Sequence, residues 1–196
     1  MQVLKTANKY DIACLNWAEE FPYRPEVSLE ISYDDALLHL LFSVEEKAVV
    51  ARCRADRDEV WTDSCVEFFF APSDDGLYYN IECNPTGRIY MCCGPDRAHR
   101  DFLPQSAYDG IVRTPSLGTE PFGILEGVGK WSVGLDIPAS TFVHHGLKSF
   151  ESLAARGNFY KCGNALGEKH YLSCFPVGTP RPDFHRPEFF GPIVFE

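Results

Sequence analysis

The sequence predicts an all-β chain: a jelly-roll-like antiparallel β-sandwich of about nine or ten strands joined by long loops. Three observations carry that prediction. Apolar residues recur at every second position through many short runs, which is the period of a half-buried strand. Clusters of Gly, Pro, Asp and Asn punctuate those runs as turns. Helical periodicity is scarce, limited to a turn or two within residues 141–157.

Taken in order, Val27, Leu29, Ile31 and Tyr33 share one face, with Ser28, Glu30 and Ser32 opposite. Asp34-Asp35 then supplies a turn into residues 36–44, giving a first hairpin. Residues 48–54 form the next strand, with Val50, Arg52 and Arg54 facing away from Val49, Ala51 and Cys53. Residues 65–72 run into a strong turn at 72–76, and residues 77–84 and 88–93 flank a second turn at 84–87. The Gly/Pro-rich stretch 94–129 is expected to loop over one sheet, and loops of that length tend to carry function. Residues 130–138 turn Trp131, Val133, Leu135 and Ile137 inward and stop at Pro138, as a strand should. Strands over 157–163, 170–176 and 191–196 complete the set. With no internal repeat or linker, residues 1–196 are expected to form one domain.

Composition narrows the function. A formal net charge of −10 argues against a phosphate-backbone partner, so nucleic acid is not expected. No apolar run is long enough to cross a bilayer, and no membrane partner is expected. The N-terminal residues lack the features of an export signal, which leads to the expectation of a cytoplasmic protein with reduced cysteines. The eight cysteines contain no CxxC spacing, so a structural zinc site is not expected, and His144-His145 has no spaced third ligand.

Glu67 is the residue that demands an explanation. It sits in the strand-like run "VWTDSCVEFFF", residues 60–70, where an unpartnered carboxylate is costly. Either it pairs with a cross-strand arginine such as Arg52, Arg54 or Arg88, or it faces a ligand. Trp61, among Asp58, Glu59, Thr62 and Asp63, has the polar surroundings of a rim residue, whereas Trp17 and Trp131 are assigned to packing. Asn80, Glu82 and Asn84 share a polar strand face opposite Tyr79, Ile81 and Cys83; Asn84 also suits the turn that follows it. Arg156 and Lys161 are candidate donors to a hydroxyl-rich or anionic ligand, or else surface charge on a hairpin. In the proline-rich tail "RPDFHRPEFFG", residues 181–191, Phe184 stands between Asp183 and His185 and is expected to be more exposed than an average core Phe.

The runs "VWTDSCVEFFFAP", "YYNIECNPTG", "KWSVGLDIP" and "DFHRPEFFGPIVF" together resemble the family 9 carbohydrate-binding modules and their DOMON-like relatives. The resemblance implies a β-sandwich that holds a mono- or oligosaccharide, by its reducing end, between two aromatic rings without catalysis. It places Trp61 and Phe184 as the stacking pair, Glu67 as a hydroxyl acceptor, His185 as a following basic residue, and Asn80, Glu82 and Asn84 nearby. Glu82 stands where the family has an arginine. No cofactor is implied beyond a structural calcium ion, for which residues 72–76 offer oxygen ligands without EF-hand spacing. Two alternatives follow: a glycoside hydrolase using Glu67 with a second carboxylate, and a haem-binding module with Met91 as a ligand.

Overall fold

The computed structural model describes residues 1–196, the side chain of Val128 excepted. Among the described residues, thirteen strands form two sheets packed face to face. In chain order they are β1 (Gln2–Val3), β2 (Asn8–Asp11), β3 (Glu26–Tyr33), β4 (Leu37–Ala51), β5 (Ser64–Ala71), β6 (Tyr78–Cys83) and β7 (Ile89–Gly94). The remainder are β8 (Asp101–Phe102), β9 (Val112–Pro115), β10 (Phe122–Pro138), β11 (Ala154–Gly163), β12 (Tyr171–Ser173) and β13 (Gly191–Phe195). The larger sheet runs β1-β13-β11-β5-β6-β7-β8 with β12 beside β11, and the smaller runs β2-β3-β4-β10-β9.

The predicted alternation holds where it was clearest. Val27, Leu29, Ile31 and Tyr33 are buried on β3, as are Trp131, Val133, Leu135 and Ile137 on β10. The hairpin turn at Asp34 is closed by its own side chain, whose Oδ1 accepts from the Ala36 and Leu37 N–H groups. At Gly87, φ is +79°, the left-handed conformation that glycine adopts without steric cost.

Several expectations need correction. The strand count exceeds nine or ten because short edge strands carry too few residues to show a period. Residues 36–44 and 48–54 are not two strands; β4 runs continuously from Leu37 to Ala51, and residues 52–54 lie beyond its end. The charges of Glu45, Glu46 and Lys47 interrupt the alternation, but Glu46 is buried against Lys161, 2.9 Å away, so the strand continues through it. The sandwich is antiparallel except where β1 joins β13 in parallel. Residues 94–129 hold β8, a short helix α1 (Gln105–Asp109), β9 and the start of β10 rather than loop alone.

Two apolar clusters result. Val66, Phe68 and Phe70 of β5 enter the core between the sheets. Cys65 and Phe69 point to the other face of the same sheet, which is itself covered by aromatic residues from Trp17 and the 177–190 segment. That cover explains why a carboxylate on the outward face of β5 is buried at all. The site lies in a gap between the sheet and its cover.

Candidate functional site

The gap is an open cavity of about 360 Å³. Its floor is laid by adjacent strands: Glu67 on β5 stands directly across from Glu82 on β6, and Cys162 of β11 adjoins Glu67. Trp61 forms one wall and Phe184 another, and Arg97, Arg100 and His185 complete the rim.

Local structure explains each placement. Trp61 rides on a single 3-10 turn, Val60–Thr62, pinned by Asp63. The Asp63 carboxylate accepts from the Arg52 and Cys53 N–H groups at 2.8 and 3.0 Å and from Asn84 Nδ2 at 3.0 Å. Asn164 Nδ2 donates to the Trp61 carbonyl at 2.6 Å, and the Trp61 and Tyr90 rings pack perpendicular with centroids 4.7 Å apart. Phe184 lies flat on Tyr160, with centroids 4.1 Å apart and planes at 14°. Trp17 also packs on Phe184, and the residue is 8% exposed, more than the other buried phenylalanines, as the sequence led one to expect. It lines the cavity with the small part of its surface that Tyr160, Trp17 and Tyr171 leave uncovered.

The arginines enter from the turn between β7 and β8. Asp96 Oδ1 accepts from the Ala98 and His99 N–H groups, folding the segment back. Gly94 permits that return, since a Cβ there would lie 2.6 Å from Arg100 Cα. Arg97 then pairs with Asp183 at 2.6 Å, and Arg100 stacks over Tyr90 and lies 3.9 Å from Glu82.

Burial dominates the electrostatics. It pushes Glu67 well above the ordinary carboxyl range, reinforced by Cys162 and Glu82. Glu82 is pushed up to about 7 by burial, with Arg100 and the Asn80 amide opposing. Burial, Arg100 and Arg97 hold His185 down at about 2, so its imidazole is neutral. Arg100 Nη1 can only donate, so His185 Nε2 accepts at 3.1 Å and Nδ1–H faces the Tyr78 hydroxyl at 2.8 Å.

Of the nine predicted site residues, the structure gathers Trp61, Glu67, Glu82, Phe184 and His185 around this cavity. The other four lie elsewhere. Asn80 is fully buried beneath Glu82 and donates to its Oε1 at 2.9 Å, so it orients an acceptor rather than meeting a ligand. Asn84 closes its turn, accepting from the Thr86 and Arg88 N–H groups while clamping Asp63. Arg156 donates to the Phe190 carbonyl at 2.8 Å and holds the tail against the sheet. Lys161 points between the sheets, where its ammonium meets Glu46, His170 Nε2 and the Cys162 carbonyl. Strand parity is the reason: Lys161 lies on the inward face of β11, one residue from outward Cys162.

The ion pairs weighed for Glu67 do not form; Arg52, Arg54 and Arg88 do not reach it, and its partner is the Cys162 thiol at 3.4 Å. Sequence reasoning missed Arg97, Arg100, Cys162, Asn164 and Tyr171. The two arginines lay in a stretch read as loop, and their signal was the turn sequence "GPDR" just after a strand. Met91 is fully buried in the inter-sheet core, so it does not fit a haem ligand. At residues 72–76, Asp75 is engaged by the Leu77 N–H and His145, and the turn gathers no carboxylate cage for calcium. Glu67 and Glu82 stand side by side on one floor.

A β-sandwich with an open, aromatic-walled and carboxyl-floored cavity on one sheet defines a small-ligand-binding module rather than a scaffold. The family model described as carbohydrate-binding family 9 matches residues 2–195, and the chain belongs to that family. A provisionally assigned carbohydrate-binding protein from Bacteroides uniformis is 38% identical, covering 97% of this chain and 87% of that one, with a TM-score of 0.93. A family 9 module from Caldicellulosiruptor kristjanssonii in complex with cellotriose is 12% identical, covering 100% of this chain and 93% of that one, with a TM-score of 0.67. A family 9 module from the same organism in complex with glucose is also 12% identical, covering 100% and 96%, with a TM-score of 0.60. At that identity the latter two speak to the fold. Among curated proteins none matches.

Proposed function

We propose that the chain binds carbohydrate without catalysis, seating a sugar in the cavity between Trp61 and Phe184. The observation that carries this reading is the convergence of those two rings, distant in sequence, on one cavity floored by Glu67 and Glu82. A pyranose presents a C–H face to an aromatic ring and hydroxyls at its edge. Glu82 and Arg100 supply an acceptor and donors for those hydroxyls, and Glu67 supplies a second polar group.

A neutral sugar suits the charge arrangement, because Arg97 is engaged by Asp183 and Arg100 by Glu82. The complexes of the Caldicellulosiruptor modules with glucose and cellotriose support gluco-configured ligands as the first to test. Each hydrogen bond contributes about 1 kcal/mol net, so a short glycan binds on the order of micromolar to millimolar.

Crystals soaked in glucose and in cellobiose test the reading. Sugar density against Trp61 and within reach of Glu82 is expected. Sugar density elsewhere on the molecule, with none in this cavity, would refute it.

A further inference from the structure

β5 and β11 are antiparallel neighbours, and their register sets Cys65 directly across from Cys162. Glu67 follows two residues after Cys65 on the same face, with its Oε1 3.4 Å from Cys162 Sγ. One donor atom from each of the three lies within 4.8 Å of the other two, and all three residues are buried. Among the described residues it is the one trio of His, Cys, Asp or Glu so disposed.

We propose that Cys65, Cys162 and Glu67 form a binding site for a thiophilic divalent cation of the Zn²⁺ class, with its fourth position open to the cavity. Around a tetrahedral zinc ion, sulfur ligands at about 2.3 Å and oxygen ligands at about 2.0–2.2 Å stand roughly 3.5–3.8 Å apart. The Glu67–Cys162 edge, at 3.4 Å, is within about 0.1 Å of that range, and Cys65 Sγ lies within 4.8 Å of both. Otherwise the trio is held by weak sulfur contacts, among them Cys162 Sγ to the Trp61 carbonyl at 3.7 Å. Glu67 receives its protein hydrogen bond from a thiol, a weak donor, and Cys65 Sγ has only the Val66 carbonyl at 3.6 Å. Glu67 and Cys162 border the cavity, which provides both the access route and the vacant coordination position. Asn164 Nδ2 lies 3.7 Å from Cys162 Sγ, an outer contact of the kind that orients a ligating side chain. CxxC spacing cannot reveal such a site, because its ligands come from two strands far apart in the chain.

The inference goes beyond sugar binding and is tested without sugar. Chelator-treated protein in a phosphine reductant is titrated with Co²⁺ and followed by absorption. One equivalent is expected to produce thiolate-to-cobalt charge-transfer bands and the visible bands of tetrahedral cobalt, both removed by Zn²⁺. Cys65→Ser and Cys162→Ser are each expected to abolish the two-thiolate spectrum, whereas Cys14→Ser and Cys174→Ser retain it. Glu67→Gln, which keeps both thiols and the side-chain volume, is expected to weaken Co²⁺ binding by about tenfold or more. Circular dichroism reports the folding of each variant. The proposal is overturned if Co²⁺ produces no charge-transfer band, if the bands survive loss of both thiols, or if Cys65 and Cys162 prove to be a disulfide and bind no metal once reduced. Sugar affinity measured in chelator reads the carbohydrate site separately, so failure of one leaves the other standing.

Discussion

At the residue scale the site turns on Glu82, a buried carboxyl pushed up to about 7 and aimed at the cavity. Ionised, it accepts hydroxyl donors through charge-assisted bonds, which are stronger than those to a neutral acid. Affinity for a neutral sugar is therefore expected to rise as pH passes upward through about 7, and calorimetry at several pH values checks it. Glu82→Gln should flatten that profile. Lys161 behaves differently, because it is fully buried and bound to Glu46. Lys161→Met leaves Glu46 buried without its cation and should cost about 3–5 kcal/mol of stability in chemical denaturation. Trp61, Glu67 and Phe184 stood out in the sequence because a carboxyl in a strand-like run and aromatics in polar surroundings break the local pattern, and the family resemblance is what paired the two rings. Lys161 and Arg156 were misread because charge suggests solvent, and only the assembled sheets show that one is sealed between them and the other ties down the tail.

At the scale of elements, two turns aim the site. Asn84 satisfies the Thr86 and Arg88 N–H groups and also reaches Asp63, the anchor of the Trp61 turn. Asn84→Ala is expected to lower stability by about 1–3 kcal/mol in thermal or chemical unfolding, since buried partners lose their bonds. Gly94→Ala would place a Cβ 2.6 Å from Arg100 Cα and displace the segment bearing Arg97 and Arg100. Sugar affinity is expected to fall about tenfold, roughly 1.4 kcal/mol, readable by calorimetry. The strands β3, β5 and β6, the second half of β10 and the Asp34 and Asn84 turns could be foreseen, because period-2 alternation and Asx chemistry are local, whereas the full lengths of β4 and β10 could not. Edge strands of two residues could not be foreseen either, since tertiary pairing alone defines them; the Asp96 turn is marked locally, but only the folded chain brings its Arg97 and Arg100 to the cavity.

For the whole molecule, buried ionisable groups of opposite tendency shape stability against pH. Glu67 and Glu82 have folded values raised above 4.5, so the stability they favour is full below 4.5 and is lost as pH rises, for Glu82 through about 7. His170 and His185 are held below 6.5 by burial, so their contribution is lost as pH falls below 6.5. Glu46 is held down at about 2, chiefly by Lys161 against its burial, and its contribution is lost between 4.5 and about 2. Between 4.5 and 6.5 the raised carboxyls and the depressed histidines oppose one another. Tm is therefore expected to be level across that interval and to fall on either side. The Glu67→Gln/Glu82→Gln double variant should lose the alkaline decline, and a wild-type Tm that rises steadily above pH 7 would contradict this balance.

Isothermal titration calorimetry with glucose and cellobiose, on the wild type and Trp61→Ala, tests the sugar-binding cavity most directly. Heat that saturates at millimolar ligand or below in the wild type and vanishes in a folded Trp61→Ala variant is the predicted result. No heat from the wild type across a panel of neutral sugars, or undiminished binding without the indole, would contradict it.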